Sequence, residues 1–238
     1  MPGMPVIRFA GSVAVAVATA LVVVALVIAP FLSPAWVAFE QDRSSAALWT
    51  GFSPTDLRTV TNAILGDLVI GPPDFNVSLH GAPVLTPAER SHMRDVRGVF
   101  AGFYAAAALG LAVLGVAAVR ARQNSERRAR TWGAVRAGAL GLSASVAVAG
   151  VVAALAFDAA FEVFHRLFFA AGTYNFDPRS ARLVQLFPDA FWSETSMVVG
   201  ALILITALVV AAVAGRRRQV SGATTAAVSG PIAPSTAR

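Results

Sequence analysis

The sequence predicts an all-α membrane protein, with four transmembrane helices, both termini on the inner side and helical segments in the two outer connections. Three observations predict it. Hydrophobic residues make up 56% of the 238 and charged residues only 13%, where a soluble domain carries about a quarter charged. The apolar residues fall into four runs of about 20, the length that crosses a bilayer. The densest arginine clusters, between the second and third runs and after the fourth, fall together with Arg8 on one side of the resulting topology. Mean hydropathy is +0.67.

The first run covers about 9–29 and stops at Pro30. Ala18 and Ala20 mimic a signal-peptide cleavage site, but the apolar core continues past them, as in an uncleaved anchor. The second covers about 99–119, between Arg97 and Arg120; the third covers 137–157 and the fourth 195–214. Residues 1–218 are thus expected to form a single four-span domain. Residues 219–238 are mostly Ser, Thr, Ala, Gly and Pro without apolar periodicity, which predicts a disordered cytoplasmic tail.

Arg120, Arg122, Arg127, Arg128, Arg130 and Arg136 crowd the segment between spans two and three, against a single Glu126. Arg216, Arg217 and Arg218 follow span four, and Arg8 precedes span one. The positive-inside rule makes that side cytoplasmic. Connections 30–98 and 158–194 then face outward and hold 12 of the 13 acidic residues and all three histidines. Polar chemistry is therefore expected at the outer leaflet of the cell membrane. A sequence pI near 11.3 would suit nucleic acid, but these basic residues flank apolar spans and read as a topology signal, so no nucleic-acid partner is expected. With no cysteine and no lysine in the chain, disulfides, thiolate nucleophiles, cysteine-bound metals and lysine Schiff bases are excluded.

In the first outer connection, Ser53 is placed to cap a helix with Pro54 at its first position and Asp56 in its first turn. Leu57, Val60, Ile64 and Leu68 recur at helical spacing, and Gly71-Pro72-Pro73 ends the run. This helix reads as a membrane-surface element or as a lid. A small hairpin turning at His80-Gly81 follows. Thr86, Pro87 and Glu89 then form a capping-box pattern, and nothing breaks the helix from Pro87 to Val119. His92 stands seven residues before the span, roughly 10 Å outside the hydrocarbon by helix rise, with Asp95 one turn on.

Span three mirrors this. Its helix is expected to continue past Phe157 to Gly172, carrying Asp158, Glu162 and His165 on one stripe. A short inner loop makes spans two and three antiparallel neighbours, so His92 and His165 stand at matched heights and can converge. Each histidine alone reads more readily as a structural hydrogen-bond partner; two at matched height, each with carboxylates at helical spacing, bring the catalytic reading level with it. Arg94 and Arg97 read by default as phospholipid-headgroup contacts, and Asp177 as a turn cap.

These residues carry a resemblance. "HMRDVR" at 92–97, "FEVFHRLFF" at 161–169, "GTYNFDP" at 172–178 and "LFPDAFW" at 186–192 together resemble the Lit-type lipoprotein intramolecular transacylases, a family of bacterial integral membrane proteins. The helix "TDLRTV…ILGDLVIG" matches more loosely. Family members often carry Trp where this chain has Tyr174 or Asn175, and an acidic residue where Ser180 stands.

The resemblance implies a diacylated lipoprotein substrate and contact with membrane lipid. The enzyme would move the sn-2 acyl chain of the S-diacylglyceryl group to the α-amine of the N-terminal cysteine, giving an N-acyl lyso-lipoprotein. It implies no cofactor and no metal. His92 and His165 would be the general acid/base pair. Asp95 and Glu162 would fix their tautomers, and Arg94 or Arg97 would hold an oxyanion or a headgroup. Asp158, Tyr174 and Asp177 complete the supporting set. Two alternatives come from other classes: a metal-dependent membrane lipid hydrolase using His92, His165 and Asp158 or Glu162 as ligands, and a non-enzymatic membrane scaffold.

Overall fold

The structure, a computed structural model, describes residues 3–170 and 172–228. Its helices are α1 (Gly3–Ile28), α2 (Pro34–Arg43), α3 (Ala46–Thr50), α4 (Pro54–Val69), α5 (Pro87–Ala121), α6 (Ser125–Leu155), α7 (Phe157–Phe168), α8 (Arg182–Leu186) and α9 (Asp189–Val228). A hairpin of β1 (Ser78–Leu79) and β2 (Ala82–Pro83) is the strand structure among the described residues. The helices α1, α5, α6 and α9 contain the four stretches long and apolar enough to cross a membrane. Local signals placed several of the shorter elements. Ser53 accepts from the Asp56 amide and caps α4. His80 and Gly81 take φ of 52° and 82° at the hairpin turn, the geometry a two-residue connection requires.

Two boundaries differ from the sequence reading. The third spanning helix does not run unbroken to Gly172: Ala156, at φ −153° and ψ 60°, separates α6 from α7, and α7 ends at Phe168. Neither Gly nor Pro marks the break, so the sequence carries no local signal of it. At the other end, α9 continues through Arg216–Arg218 to Val228, beyond the expected start of the tail; "QVSGATTAAV" holds no proline, and Gly222 within it does not end the helix. Residues 229–238 lie outside the described residues.

Packing divides the chain into two units. One gathers the described residues of 3–23, 106–145 and 204–228. Its buried apolar positions are mostly alanine: Ala18, Ala107, Ala134, Ala139, Ala207 and Ala214. Its large side chains, such as Leu109, Leu111 and Val209, are exposed. Small residues inside and large ones outside is the pattern of helices that associate in lipid, where close backbone approach replaces a hydrophobic driving force. A Cβ at Gly110 would come 3.3 Å from the Ala18 Cα; one at Gly138 would lie 2.7 Å from the Ala16 Cα and overlap the Ala16 carbonyl. Those neighbours are backbone and cannot swing aside. Gly138→Ala is expected to cost about 1–3 kcal/mol, while Gly141→Ala, with nothing within 4 Å, should be near neutral. Thermal unfolding of the two variants in detergent checks the contrast.

The second unit, residues 24–105 and 146–203, is built like a small water-soluble core. Leu57, Val60 and Ile64 from α4 pack with Phe75, Val84, Leu85, Met93 and Leu186. Polar ties lock the helices around it. Buried Gln41 donates to the Thr61 hydroxyl and to the Leu186 carbonyl at 2.9 Å. Arg43 pairs with Glu194 at 2.7 Å, and the Trp36 indole donates to Thr195. The carboxylate of Glu89, 1% exposed, accepts from the amides of Thr86 and Leu183 at 2.8 and 2.7 Å, so the capping box at the start of α5 also anchors α8.

Candidate active site

Within the second unit, α5 and α7 bring two imidazoles together. His92 stands on the second turn of α5, before the apolar stretch 99–119. His165 stands on the last turn of α7. Their ring centroids are 6.1 Å apart and their planes 22° from parallel. The convergence expected from matched heights is present.

The two rings differ in environment. His92 is 7% exposed and is met edge-on by Phe169 at 4.8 Å and Phe176 at 5.6 Å. Its Nδ1 is buried and has no hydrogen-bond partner among the described residues. Burial, reinforced by the facing His165 and opposed by Asp95, pushes this imidazole from the ordinary 6.5 down to about 4, so it stays neutral at physiological pH. His165 is half-buried. Its Nδ1 lies 2.8 Å from the Phe161 carbonyl oxygen. A carbonyl only accepts, so in the neutral ring the proton sits on Nδ1 and Nε2 keeps the lone pair.

The supporting residues are distributed less evenly. Tyr174 packs 5.1 Å from the His165 ring, and its hydroxyl donates to Glu162 at 3.3 Å. Glu162 also accepts from Arg166 at 2.8 Å. The main-chain carbonyl of Phe161, not the Glu162 carboxylate, holds Nδ1 of His165. Asp95 is exposed and reaches His92 only through space, as a nearby charge. Asp158 and Arg94 are exposed. Arg97 caps α4, donating to the carbonyls of Asp67 and Gly71, the latter at 2.7 Å. Asp177 caps its turn: its side chain accepts from the Arg179 amide at 2.9 Å and its carbonyl from the Ala181 amide at 2.8 Å. His80 is in the hairpin turn, 3.4 Å from Asp56.

No group of three or more potential ligand side chains is placed to hold a metal among the described residues, so His92, His165 and a carboxylate do not assemble as a ligand set. What does assemble is a neutral buried imidazole, a second imidazole with a free Nε2, and a wall of aromatic rings. Phe169 and Phe176 lie within the motifs at 161–169 and 172–178, but nothing local in the sequence assigns them to His92. The signal for Phe169 was its neighbour His165, but only the break of α7 into extended backbone at Phe169 (φ −128°, ψ 150°) accompanies its turn onto His92.

A model of the family described as lipoprotein intramolecular transacylase Lit matches residues 12–192. The chain belongs to that family. Lit is an acyltransferase family, and this member is a multi-pass membrane protein. Comparison with curated proteins gives no match. Among solved structures, the membrane-integral Lit of Bacillus cereus superposes with a TM-score of 0.74 at 14% identity, covering 91% of this chain and 98% of that one. The same enzyme with one histidine replaced by arginine gives 0.66 at 14% identity, covering 93% and 96%. Its counterpart with alanine also gives 0.66 at 14% identity, covering 92% and 97%. At that identity the likeness establishes the Lit fold.

Proposed function

We propose that this Lit family member acts on a lipoprotein whose N-terminal cysteine carries a diacylglyceryl thioether and a free α-amine. It moves the sn-2 acyl chain to that amine. The amine nitrogen attacks the ester carbonyl carbon, a C–N bond forms, and the bond to the glycerol sn-2 oxygen breaks. The amine loses one proton and the glycerol oxygen gains one, so the reaction balances without cofactor or water. Ester and amine belong to one molecule, and holding them together supplies much of the acceleration.

The free Nε2 of His165 takes the amine proton and returns it to the departing glycerol oxygen. His92, kept neutral by burial, offers a ring N–H to the carbonyl oxygen as negative charge builds on it. Tyr174 and Glu162 hold the segment that flanks His165, and membrane lipid surrounds the diacyl chains. The arginine count supports an orientation with both termini in the cytoplasm and the histidines at the outer leaflet, where mature lipoproteins are displayed.

The observation that supports this reading most directly is the 6.1 Å approach of two imidazoles carried by separate helices. Expressing the chain in a bacterium stripped of its own lipoprotein N-acylating enzymes should convert diacyl lipoproteins to the N-acyl lyso form. Mass spectrometry of the N-terminal lipopeptide reads the result. Unchanged diacyl lipopeptides beside folded, membrane-inserted protein would refute the assignment.

A further inference from the structure

Helix α7 exposes the side that a helix in water would bury. Val163, Phe164, Leu167 and Phe168 share one face and are 55%, 48%, 74% and 50% exposed. The side that meets the rest of the unit is centred on His165. Phe161 flanks it, with its ring 6.3 Å from Trp192, and Glu162 flanks it beneath Tyr174. An amphipathic helix on a soluble domain turns its apolar stripe to the core. Here Glu162 and His165 face the protein, Asp158 is open to water, and the four large apolar side chains are bare.

The chain immediately before α7 indicates what covers them. Val148, Val151, Val152 and Leu155 of α6 are also exposed, and α6 is one of the helices long and apolar enough to cross a membrane. The bare stripe of α7 therefore follows directly on a surface whose solvent is hydrocarbon. Ala156 interrupts the helix between them, allowing α7 to leave the direction of the span.

We propose that α7 lies along the membrane with Val163, Phe164, Leu167 and Phe168 sunk among the acyl chains of the bilayer. It thereby forms a lipid-contacting side wall to the histidine pair. Interfacial helices of this kind sit about 5–10 Å into the headgroup and acyl boundary. A wall at that depth holds His165 at the level of lipid ester groups, and lets a ligand with acyl chains reach the imidazoles sideways, without leaving the bilayer. This inference rests on the membrane character of the chain and not on the acyl-transfer reaction.

The chain has no cysteine, so a nitroxide on a single introduced cysteine reports one site. Phe164→Cys, Leu167→Cys and, as the reference on the polar side, Asp158→Cys would be labelled in the full-length protein in phosphatidylglycerol/phosphatidylcholine vesicles. Oxygen, which concentrates in hydrocarbon, should relax the labels at 164 and 167 several-fold more than a water-soluble nickel chelate does. The order should reverse at 158. Greater nickel access at 164 and 167 would place the stripe in water; low access to both reagents there would mean that protein, such as a second copy, covers it. Either result overturns the proposal. Should Leu167→Cys fail to insert, Val163→Cys samples the same face. The readout is depth rather than turnover, so it stands apart from the lipopeptide assay.

Discussion

His165→Ala is expected to lower acyl transfer by about 10²–10⁴-fold, the usual worth of a positioned general acid/base. His92→Ala should lower it by about 10²–10³-fold, as loss of one hydrogen-bond donor to a developing oxyanion does. The two losses should combine to less than their product, because the imidazoles act on the same transition state. Alanine also removes ring packing, since His92 touches Phe169 and Phe176. His165→Asn separates the effects. Its amide can still donate to the Phe161 carbonyl that now lies 2.8 Å from Nδ1, but it has no group where Nε2 stood. A Michaelis complex of ordinary affinity with turnover lowered about as far as in His165→Ala supports proton transfer through Nε2. Asn at that position with undiminished turnover would remove His165 from the chemistry. The rate of N-acyl lyso-lipopeptide formation, normalised to folded protein, supplies the measurement.

What sequence could reveal here was local chemistry. The capping residues Ser53 and Thr86, the prolines that follow them and the Gly81 turn each act within a few residues, and α4, α5 and the hairpin appear where those signals stand. The approach of His92 and His165 was legible because a short loop makes the two long helices before them neighbours, although the break at Ala156 means that helix rise alone does not set the height of His165. Details set by distant contacts were not legible. The break at Ala156 occurs in a run of alanine, valine and phenylalanine with no residue that disfavours helix. Arg97 sits in the "HMRDVR" motif and invited a lipid-facing role, yet its partners are carbonyls at the end of α4, 26 and 30 residues earlier in the chain. The tautomer of His165 depends on a main-chain carbonyl, which every residue possesses and no residue type announces. The carboxylates at helical spacing, by contrast, looked suited to the task. Glu162 instead gathers Tyr174 and Arg166.

Glu89 is where the second largest loss is expected, in stability and through it in activity. Its capping-box role uses one carboxylate oxygen, and the other accepts from Leu183, 94 positions later. Hydrogen bonds to a charged group are worth about 1.5–3 kcal/mol each, and a buried amide left without an acceptor adds its own penalty. Glu89→Ala should therefore destabilise the protein by about 3–5 kcal/mol, a large share of the margin of a typical domain. Glu89→Gln should cost less, since one oxygen still accepts while its NH₂ group faces an amide N–H. Leu183 and Leu186 belong to the same core as Met93, the residue after His92. Releasing α8 should thus loosen the packing that holds the His92 imidazole out of water. The expected signature is a fall in unfolding temperature in the order wild type, Gln, Ala, with transfer activity falling in the same order. Unfolding temperatures indistinguishable among the three would mean that the buried carboxylate does not anchor α8, and that the surroundings of His92 are maintained by the apolar contacts alone.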